Sequence, residues 1–594
     1  MTTIINSKLG ENRGKPRIWI EGAKLAREGY NPGDRYNLEI QSGRLILQAA
    51  EDGQYTVSKR TRNGRLLPII DISKTELAEL FDGVETLRVA ISQGKIVISA
   101  HHQHGRIQER VARLIDRISN DEPLRCASLF HGAGGLDLAI HSGLELAGIK
   151  SKVGVAVELN GSYLDASLVN NPELWDANSI LIESPIQDVN LGRNAPQMDV
   201  LCGGIPCTGA SLSGRSKNKL KYAEDHSGAG ALFFSFLEMV KVLNPSIVIG
   251  ENVVPYASTA SMSVIRSVLN SLGYVLQERT GCGNEFGALE KRERFFFVAV
   301  SKGLELDFDI EQMLPIATKP ACLNDVLLPF DSELVNPESW RTYDYLAEKE
   351  KRDIAKGSGF RRQLLDGSEP YCGTIGRGYN KARSSEPFLK HPTDDSLSRL
   401  LTPIEHARVK GIPESLIAGL SATTAHEVLG QSVIYDLFRS LGVTLGSSLA
   451  SRVRGVPTQQ WRHVQCMTFN PGESTLGGED FALADALIDL STGRLRLDRA
   501  GRDAGWPIAE GYEGGIEVCI PQGAQEGMVV PLDAAMEDAH NATLHEAVMG
   551  LRSDLVAKLI RERGHEVSID LGSPAGQKLK GLLAPSFDAV KTVA

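Results

Sequence analysis

The sequence predicts an α/β protein, with a doubly wound, largely parallel sheet in the middle of the chain, a small β-rich domain before it and an α+β domain after it. Three observations predict this. From Arg125 to Val300, short apolar runs (CASLF, VGVAVE, MDVLCGG, SIVIGEN and FFFVAV) alternate with helical stretches, the pattern of strands buried on both faces. Ahead of them, residues 17–47 and 67–98 read as two copies of strand, short helix and hairpin. Past Gly455, the Gly-rich segments PGESTLGGED and EGYEGG mark a shift in composition.

With 594 residues the chain is too long for a single core, and a prior of roughly 150 residues per domain gives three to five units. The net charge of -10 argues against nucleic-acid binding by the chain as a whole, because phosphate contacts rely on Lys and Arg, so any face for nucleic acid must be a local patch. No run of about 18 apolar residues occurs, and the polar start MTTIINSKLGENRGK lacks a secretory core, so a cytoplasmic protein without a membrane partner is expected. Eight cysteines, spread from Cys126 to Cys519 without a CxxC pair, indicate neither a zinc site nor a disulfide framework. Reduced thiols leave a cysteine nucleophile available.

The repeats define a first domain at 1–100. In each copy an alternating strand (Tyr36 to Ile40, Leu87 to Ile91) leads through Ser42-Gly43 or Gln93-Gly94 to a second strand carrying Arg44 or Lys95. A unit this small cannot bury its own core, so the two are expected to pair into one small barrel. Residues 15–50 resemble the SymE-like, AbrB-type swapped-hairpin family, and that resemblance implies contact with DNA or RNA, or dimerisation. Residues 101–122 form a linker helix with Ile107, Val111, Leu114, Ile115 and Ile118 on one face. His101, His102 and His104 have no Cys or acidic partners at ligand spacing, so no metal is assigned. In the last domain, 456–594, Leu544, Val548, Leu551, Leu555 and Leu559 share a helix face between Asn541 and Gly564, but no motif reveals its role.

The chemistry lies in the middle. In SLFHGAGGLDLAIHSG, Gly132, Gly134 and Gly135 let the backbone approach a ligand, and the next helix offers its free N–H groups. The following strand ends in Glu158, spaced for a carboxylate that accepts both hydroxyls of a ribose. That pair suits an adenosine-type cofactor and equally fits a nicotinamide fingerprint or a structural turn. MDVLCGGIPCTGAS then places Pro206-Cys207 at a strand's carboxyl end, where open α/β sheets form their crevice. A lone cysteine is usually a small buried hydrophobe, and Cys126, Cys202 and Cys282 are read so. Cys207 differs: glycines before it and TGAS after it make the polar, flexible setting of a reactive thiolate.

The next strand delivers Glu251-Asn252 to the same edge, where a carboxyl group can bond a ring nitrogen or supply a proton, or simply be a solvated loop acid. In LEKRERFFFVAV, Arg292 and Arg294 stand two residues apart, so at a strand entrance both would face one side, fit for a phosphate or a carbonyl. Ordinary surface arginines are the alternative.

In order and spacing, residues 125–442 resemble the DNA (cytosine-5)-methyltransferase family. LFHGAGG is similar to its cofactor motif, GGIPCTGAS to its Pro-Cys loop, LFFSFLEMVKVLNPSIVIGENV to the two motifs that follow, and EKRER to its paired arginines. LSRLLTPIEHARVKGIP and HEVLGQSVIYDLFRSLG resemble its closing motifs. The resemblance implies a Rossmann-like, S-adenosylmethionine-dependent catalytic domain at 123–318 and 399–450, with a target-recognition region inserted at 319–398. It implies catalytic roles for Cys207, Glu251, Arg292 and Arg294. Cofactor contacts carry over to Phe130, Gly132, Gly134, Gly135 and Glu158 from the first motifs. Ile186, Pro206, Leu232, Ser432 and Val433 follow, with Phe233 beside them.

The inserted region carries seven basic against three acidic residues over 356–390, a local charge of +4. Its Thr374-Ile375 resembles the family's Thr-aliphatic pair, and Arg377, Lys381 and Arg383, with Ser211 from the cysteine loop, are the expected DNA contacts. Four positions depart from the family pattern: Thr208 and Glu290 stand where Gln is common, Pro185 where Asp is, and Gln431 where Asn is. Loss of the carboxylate at Pro185 is worth roughly 1.5–3 kcal/mol of cofactor affinity, with Asp188 the candidate to compensate. The resemblance thus implies methylation of cytosine C5 in a specific duplex DNA sequence, with a cognate restriction endonuclease as a further expected partner. An RNA cytosine methyltransferase and a catalytically silent DNA-binding homologue are the rival readings.

Overall fold

The computed structural model describes residues 1–455 except 63, 193, 207–223, 225–229 and 358–360, and beyond them the backbone of five strands. Cys207, Thr208, Ser211 and the expected helix at 541–564 lie outside the described residues. The chain divides into two units, Met1–Ala112 and Arg113–Ala594.

In the first unit, β1 (Thr2–Lys8), β2 (Gly10–Asn12) and β3 (Lys15–Glu21) precede the short helix α1 (Ala23–Arg27) and the hairpin β4 (Arg35–Gln41) and β5 (Arg44–Ala49). After β6 (Tyr55–Thr56) and β7 (Ser58–Arg62) the same order returns as β8 (Arg65–Ser73), α2 (Glu76–Leu80), β9 (Thr86–Ser92) and β10 (Lys95–Ala100). Corresponding strands of the two copies are neighbours: β3 pairs antiparallel with β8 and β5 with β10. Ile18, Ile20, Leu45 and Leu47 of the first copy therefore share one core with Ile70, Ile72, Ile96 and Ile98 of the second. Each copy closes the other's open apolar face, so neither has to bury its own. β1, which no motif marks, pairs with β9 along all of its length.

Helix α3 (His102–Ser119) follows, and its last turns belong to the second unit. Leu114 and Ile118 are buried there, and Arg113 and Arg117 each form an ion pair at 2.9 Å with Asp199, which is fully buried.

The centre of the second unit is a seven-stranded sheet. It is built from β11 (Leu124–Leu129), β12 (Ser151–Glu158), β13 (Ile180–Glu183), β14 (Val200–Gly204), β15 (Ile247–Asn252), β16 (Tyr274–Cys282) and β17 (Glu293–Ser301) in the order β13-β12-β11-β14-β15-β17-β16. β11 to β15 are parallel, but β17, the FFFVAV run, is antiparallel to β15 and to β16. A loop with no crossover helix joins β16 to β17, and such a connection returns the chain antiparallel. The chain runs outward from β11 to β13 and then returns to the other side of β11 as β14. This reversal opens a crevice at the carboxyl ends of β11 and β14.

Helices α4 (Gly135–Leu146), α5 (Gly161–Asn170), α6 (Leu232–Leu243) and α7 (Ala260–Ser271) follow their strands. The Asn160 side chain caps α5 by accepting from Ser162 N at 3.1 Å, and Thr259 caps α7 by accepting from Met262 N at 3.2 Å. Leu129, Val157, Leu201, Phe236, Val248 and Phe297 are among the buried side chains of one core on this sheet.

The inserted region holds α8 (Asp344–Ala355) and a small sheet of β18 (Gln363–Leu365), β19 (Pro387–Lys390) and β20 (Ser398–Arg399). Its core mixes Leu365, Cys372, Ile375 and Leu389 with Leu289, Leu401 and Val409, so packing crosses both ends of the 319–398 segment. Then come α9 (Pro403–Val409), α10 (Ala422–Gln431) and α11 (Tyr435–Arg454). A capping box starts α9: Thr402 Oγ1 accepts from Glu405 N at 3.2 Å and Glu405 Oε2 accepts from Thr402 N at 2.7 Å.

α11 lies backbone to backbone on α4. A Cβ on Gly143 would stand 2.1 Å from the Arg439 carbonyl oxygen, and one on Gly442 would stand 2.7 Å from that of Ile140. Only glycine allows that approach. Beyond residue 455 the described backbone is one sheet of β21 (Trp461–Phe469), β22 (Phe481–Asp489), β23 (Arg494–Leu497), β24 (Ile516–Val518) and β25 (Glu566–Val567), in that order.

Candidate active site at the sheet's switch point

The turn after β11 is held from below. Phe130, Gly132 and Gly134 all have positive φ, at 58, 59 and 83°, and Gly134 is the residue before α4. His131, between them, is buried and bonded on both ring nitrogens. Nδ1 lies 2.8 Å from Ser128 Oγ and 3.1 Å from Asp137 Oδ2, and Nε2 lies 2.9 Å from Ser167 Oγ. The turn is therefore rigid before any ligand arrives, which lowers the entropy cost of binding.

Glu158, at the end of β12, accepts from Gly132 N at 2.8 Å and from Asn160 N at 3.0 Å, so the carboxylate and the glycine turn are one unit. A cleft of about 440 Å³ opens beside them, lined by Glu158, Leu159, Tyr163, Glu183, Arg377 and Gln431 among others. Leu159 is 69 % exposed at its edge, an apolar side chain available to a flat ring. Ser432 lies over the turn, because a Cβ on Gly135 would come within 2.6 Å of its hydroxyl.

Two of the expected residues stand apart from this cleft. Ile186 is buried in the sheet's core and does not line the cleft. Asp188 is exposed on a short 3-10 turn and likewise does not line it. The second carboxylate at the cleft is Glu183, which is paired in register with Glu158 and sits 2.4 Å from where a Gly161 Cβ would be. Sequence reading missed Glu183 because ILIE is short and half-exposed. Its position at a strand end beside Glu158 was the available signal. Leu232 and Val433 are buried, and Phe233 is half-buried against the core.

On the other side of the crevice β14 ends in Gly203-Gly204. Gly204 lies opposite Glu251 in register, and a Cβ on it would be 3.4 Å from Glu251 Oε2. Buried Asn252 donates from Nδ2 to the Ile205 carbonyl at 3.0 Å and accepts from Val253 N at 2.8 Å. The loop is thus pinned one residue before Pro206. Burial pushes the Cys126, Cys202 and Cys372 thiols well up from their ordinary range, away from thiolate character.

The arginines separate. Arg294 Nε meets Glu251 Oε1 at 2.8 Å, with both side chains mostly buried. Arg292 does not share that face. It is 4 % exposed, with its guanidinium within 3.5 Å of the Ile375 and Gly430 carbonyls and of Glu290. β17 begins only at Glu293, so strand alternation does not extend back to Arg292.

Of the expected DNA contacts, Thr374 is exposed and donates to the Lys291 carbonyl at 3.1 Å. Lys381 is exposed, and Arg383 is packed over Gly378. Arg377 turns to the cleft beside Glu158, where its guanidinium donates to Tyr163 Oη at 3.2 Å. Tyr163 in turn donates to Glu427 at 3.2 Å.

The family model for C-5 cytosine-specific DNA methylases matches residues 124–447. M.HhaI of Haemophilus parahaemolyticus, a Type II methyltransferase, is 27 % identical over 342 residues, covering 55 % of this chain and 95 % of its own. M.SsoII of Shigella sonnei, also a Type II methyltransferase, is 25 % identical over 264 residues, or 44 % of this chain and 66 % of its own. Among solved structures, the Dnmt2 methyltransferase of S. pombe aligns at a TM-score of 0.42 and 18 % identity, over 55 % of this chain and 98 % of that one. Because the family match spans more than half of the residues, the chain belongs to the C-5 cytosine-specific DNA methylase family and is a DNA cytosine-5-methyltransferase, an enzyme class whose methyl donor is S-adenosylmethionine.

Proposed function

We propose that this enzyme methylates cytosine within a specific duplex DNA sequence, after flipping the base into the crevice and adding the Cys207 thiolate to C6. The observation that carries this is the register of β14 against β15. It sets Glu251 beside Gly204, while Asn252 holds Ile205, so the chain leading into Cys207 leaves the sheet next to the carboxylate.

The donor set of the cleft fits the cofactor: a carboxylate, Glu158, for a diol, an exposed Leu159 for an aromatic ring, and Glu183 for an adenine amine. S-adenosylmethionine, held there, supplies an electrophilic methyl group. Cytosine C5 is too poor a nucleophile to take it unaided. The Cys207 sulfur forms a bond to C6 while Glu251 hydrogen-bonds the N3/N4 edge, and the ring's displaced electron pair makes C5 nucleophilic. Arg294 orients Glu251 through the 2.8 Å pair. Once C5 is methylated, loss of its proton restores the double bond and expels the thiolate. Extrusion of the base costs a few kcal/mol, repaid by contacts to its polar edge.

Residues 319–398, with exposed Thr374 and Lys381, supply target recognition. The paired hairpins of the first unit, where β7 (SKRTR) is exposed throughout, supply nucleic-acid contact or dimerisation. Among the described residues no helix is long and apolar enough to cross a membrane, and action in the cytoplasm beside a cognate endonuclease completes the proposal.

Duplex DNA carrying 5-fluorocytosine tests the chemistry, because fluorine at C5 blocks the final elimination. With S-adenosylmethionine a covalent protein–DNA adduct is expected on denaturing gels and is absent for Cys207→Ala. An adduct that persists in that variant rules out Cys207. If no adduct forms on DNA of any sequence, RNA is the next substrate to try.

A further inference from the structure

Glu290 departs from the family pattern as a buried acid, and Lys410 meets it. Glu290 is 2 % exposed and Lys410 is 1 % exposed, with Nζ 2.5 Å from Oε2. The other oxygen, Oε1, accepts from Ile375 N at 2.7 Å. One carboxylate therefore clips two segments together. Around it Leu289 N and Glu290 N both bond the Val409 carbonyl, Cys372 N bonds the Leu289 carbonyl at 3.0 Å, and Lys291 N bonds the Cys372 carbonyl at 2.8 Å. A Cβ on Gly283 would stand 2.4 Å from the Glu290 carbonyl oxygen, so the clip has no room to slide.

A buried ion pair is a poor device for stability, since apolar side chains of similar volume usually do as well. Fixing register is the better-attested use of such a pair. What this pair registers is specific. On one side is exposed Thr374, bonded to the Lys291 carbonyl; on the other, four residues along the chain, is Arg294 on Glu251.

We propose that the Glu290–Lys410 pair is a positioning device for target discrimination, which holds the Cys372–Gly376 segment in fixed relation to Glu251 so that a mismatched site misplaces the carboxylate. The proposal rests on residues 319–398 being the recognition region. Neither residue touches substrate.

The test compares two charge-balanced double variants of the full chain. Glu290→Gln with Lys410→Gln keeps an acceptor for Ile375 N and a donor beside it. Glu290→Leu with Lys410→Met removes both. The readout is the ratio of kcat/KM on the site methylated by wild type, mapped by bisulfite sequencing, to that on sites with one base pair changed. The Gln pair is expected within about threefold of wild type, and the Leu/Met pair lower by about tenfold, through a kcat on mismatched sites that rises towards that on the cognate site, with S-adenosylmethionine affinity unchanged.

A folded Leu/Met pair with wild-type discrimination, or a Gln pair as poor as the Leu/Met pair, overturns the proposal. If the Leu/Met pair does not fold, Lys410→Gln is measured in the same way. A drop in discrimination of about threefold is then expected, and none overturns the proposal. Wild type that methylates DNA without site preference overturns the recognition region as well, whereas a selective wild type with unaffected variants overturns this inference alone.

Discussion

Asn252 Nδ2 donates to the Ile205 carbonyl at 3.0 Å, so the loop that leads to Cys207 hangs from the strand that carries Glu251. Asn252→Ala leaves a buried carbonyl and the Val253 N–H without this partner, at a cost of about 1–3 kcal/mol. We expect kcat to fall about tenfold or more, because nucleophile and carboxylate lose their common reference, while S-adenosylmethionine binding stays at wild type. Single-turnover methyl transfer with calorimetry of cofactor binding checks both.

The two arginines are expected to fail differently. Arg294→Met frees Glu251 from its 2.8 Å partner and should lower kcat about 10- to 100-fold with little change in melting temperature. Arg292→Met removes the buried donor to the Ile375 and Gly430 carbonyls while Glu290 keeps Lys410, at about 1–3 kcal/mol, and should appear first as lost thermal stability. Equal loss of kcat in both variants, at unchanged melting temperature, would return Arg292 to the substrate.

Carboxylates near the cofactor cleft can be ranked. Glu183→Ala is expected to weaken S-adenosylmethionine binding about tenfold, near 1.4 kcal/mol, and Asp188→Ala by less than about twofold. Calorimetry on the two variants reverses the assignment if Asp188 proves the larger.

His406 and His426 face each other with Nδ1 atoms 3.0 Å apart, under the ring of Tyr379. Burial holds the His406 pKa well below its ordinary value, with Lys410, His426 and Arg292 adding to the effect, and burial lowers His426 to about 4. Both are neutral in the fold and protonate more readily once unfolded. Their contribution to stability is therefore full above about pH 6.5, the unfolded value, and is lost as pH falls towards 4. Melting temperature should drop across that window, and the drop should shrink in His426→Gln.

Much of this was legible in the sequence, and for a physical reason. Glu158, Glu251 and the Gly132–Gly135 turn stand at ends of continuous apolar runs, where an open sheet must place its ligands. Strand direction was not legible. FFFVAV is apolar at every position, and a run without alternation says nothing about whether its neighbour is parallel, so a largely parallel sheet leaves the direction of β17 open. Arg292 and Arg294 were read as equivalent because spacing of two implies one face only inside a strand, and the strand starts between them. Arg377 looked like part of a basic surface because charge counts carry no direction, and the hydrogen bond to Tyr163 comes from tertiary contact alone.

The glycine seam between α4 and α11 sets an order of events during synthesis. α4 begins at the Gly132–Gly135 turn and buries ten of its residues, while its partner Gly442 emerges from the ribosome only after residues 319–398 are complete. A nascent chain that stops short of α11 exposes the face of α4 that α11 covers and has no Ser432 over the turn. The cleft beside Glu158 is therefore among the last parts of the central sheet's surroundings to mature, and a chaperone that shields α4 would act in that interval.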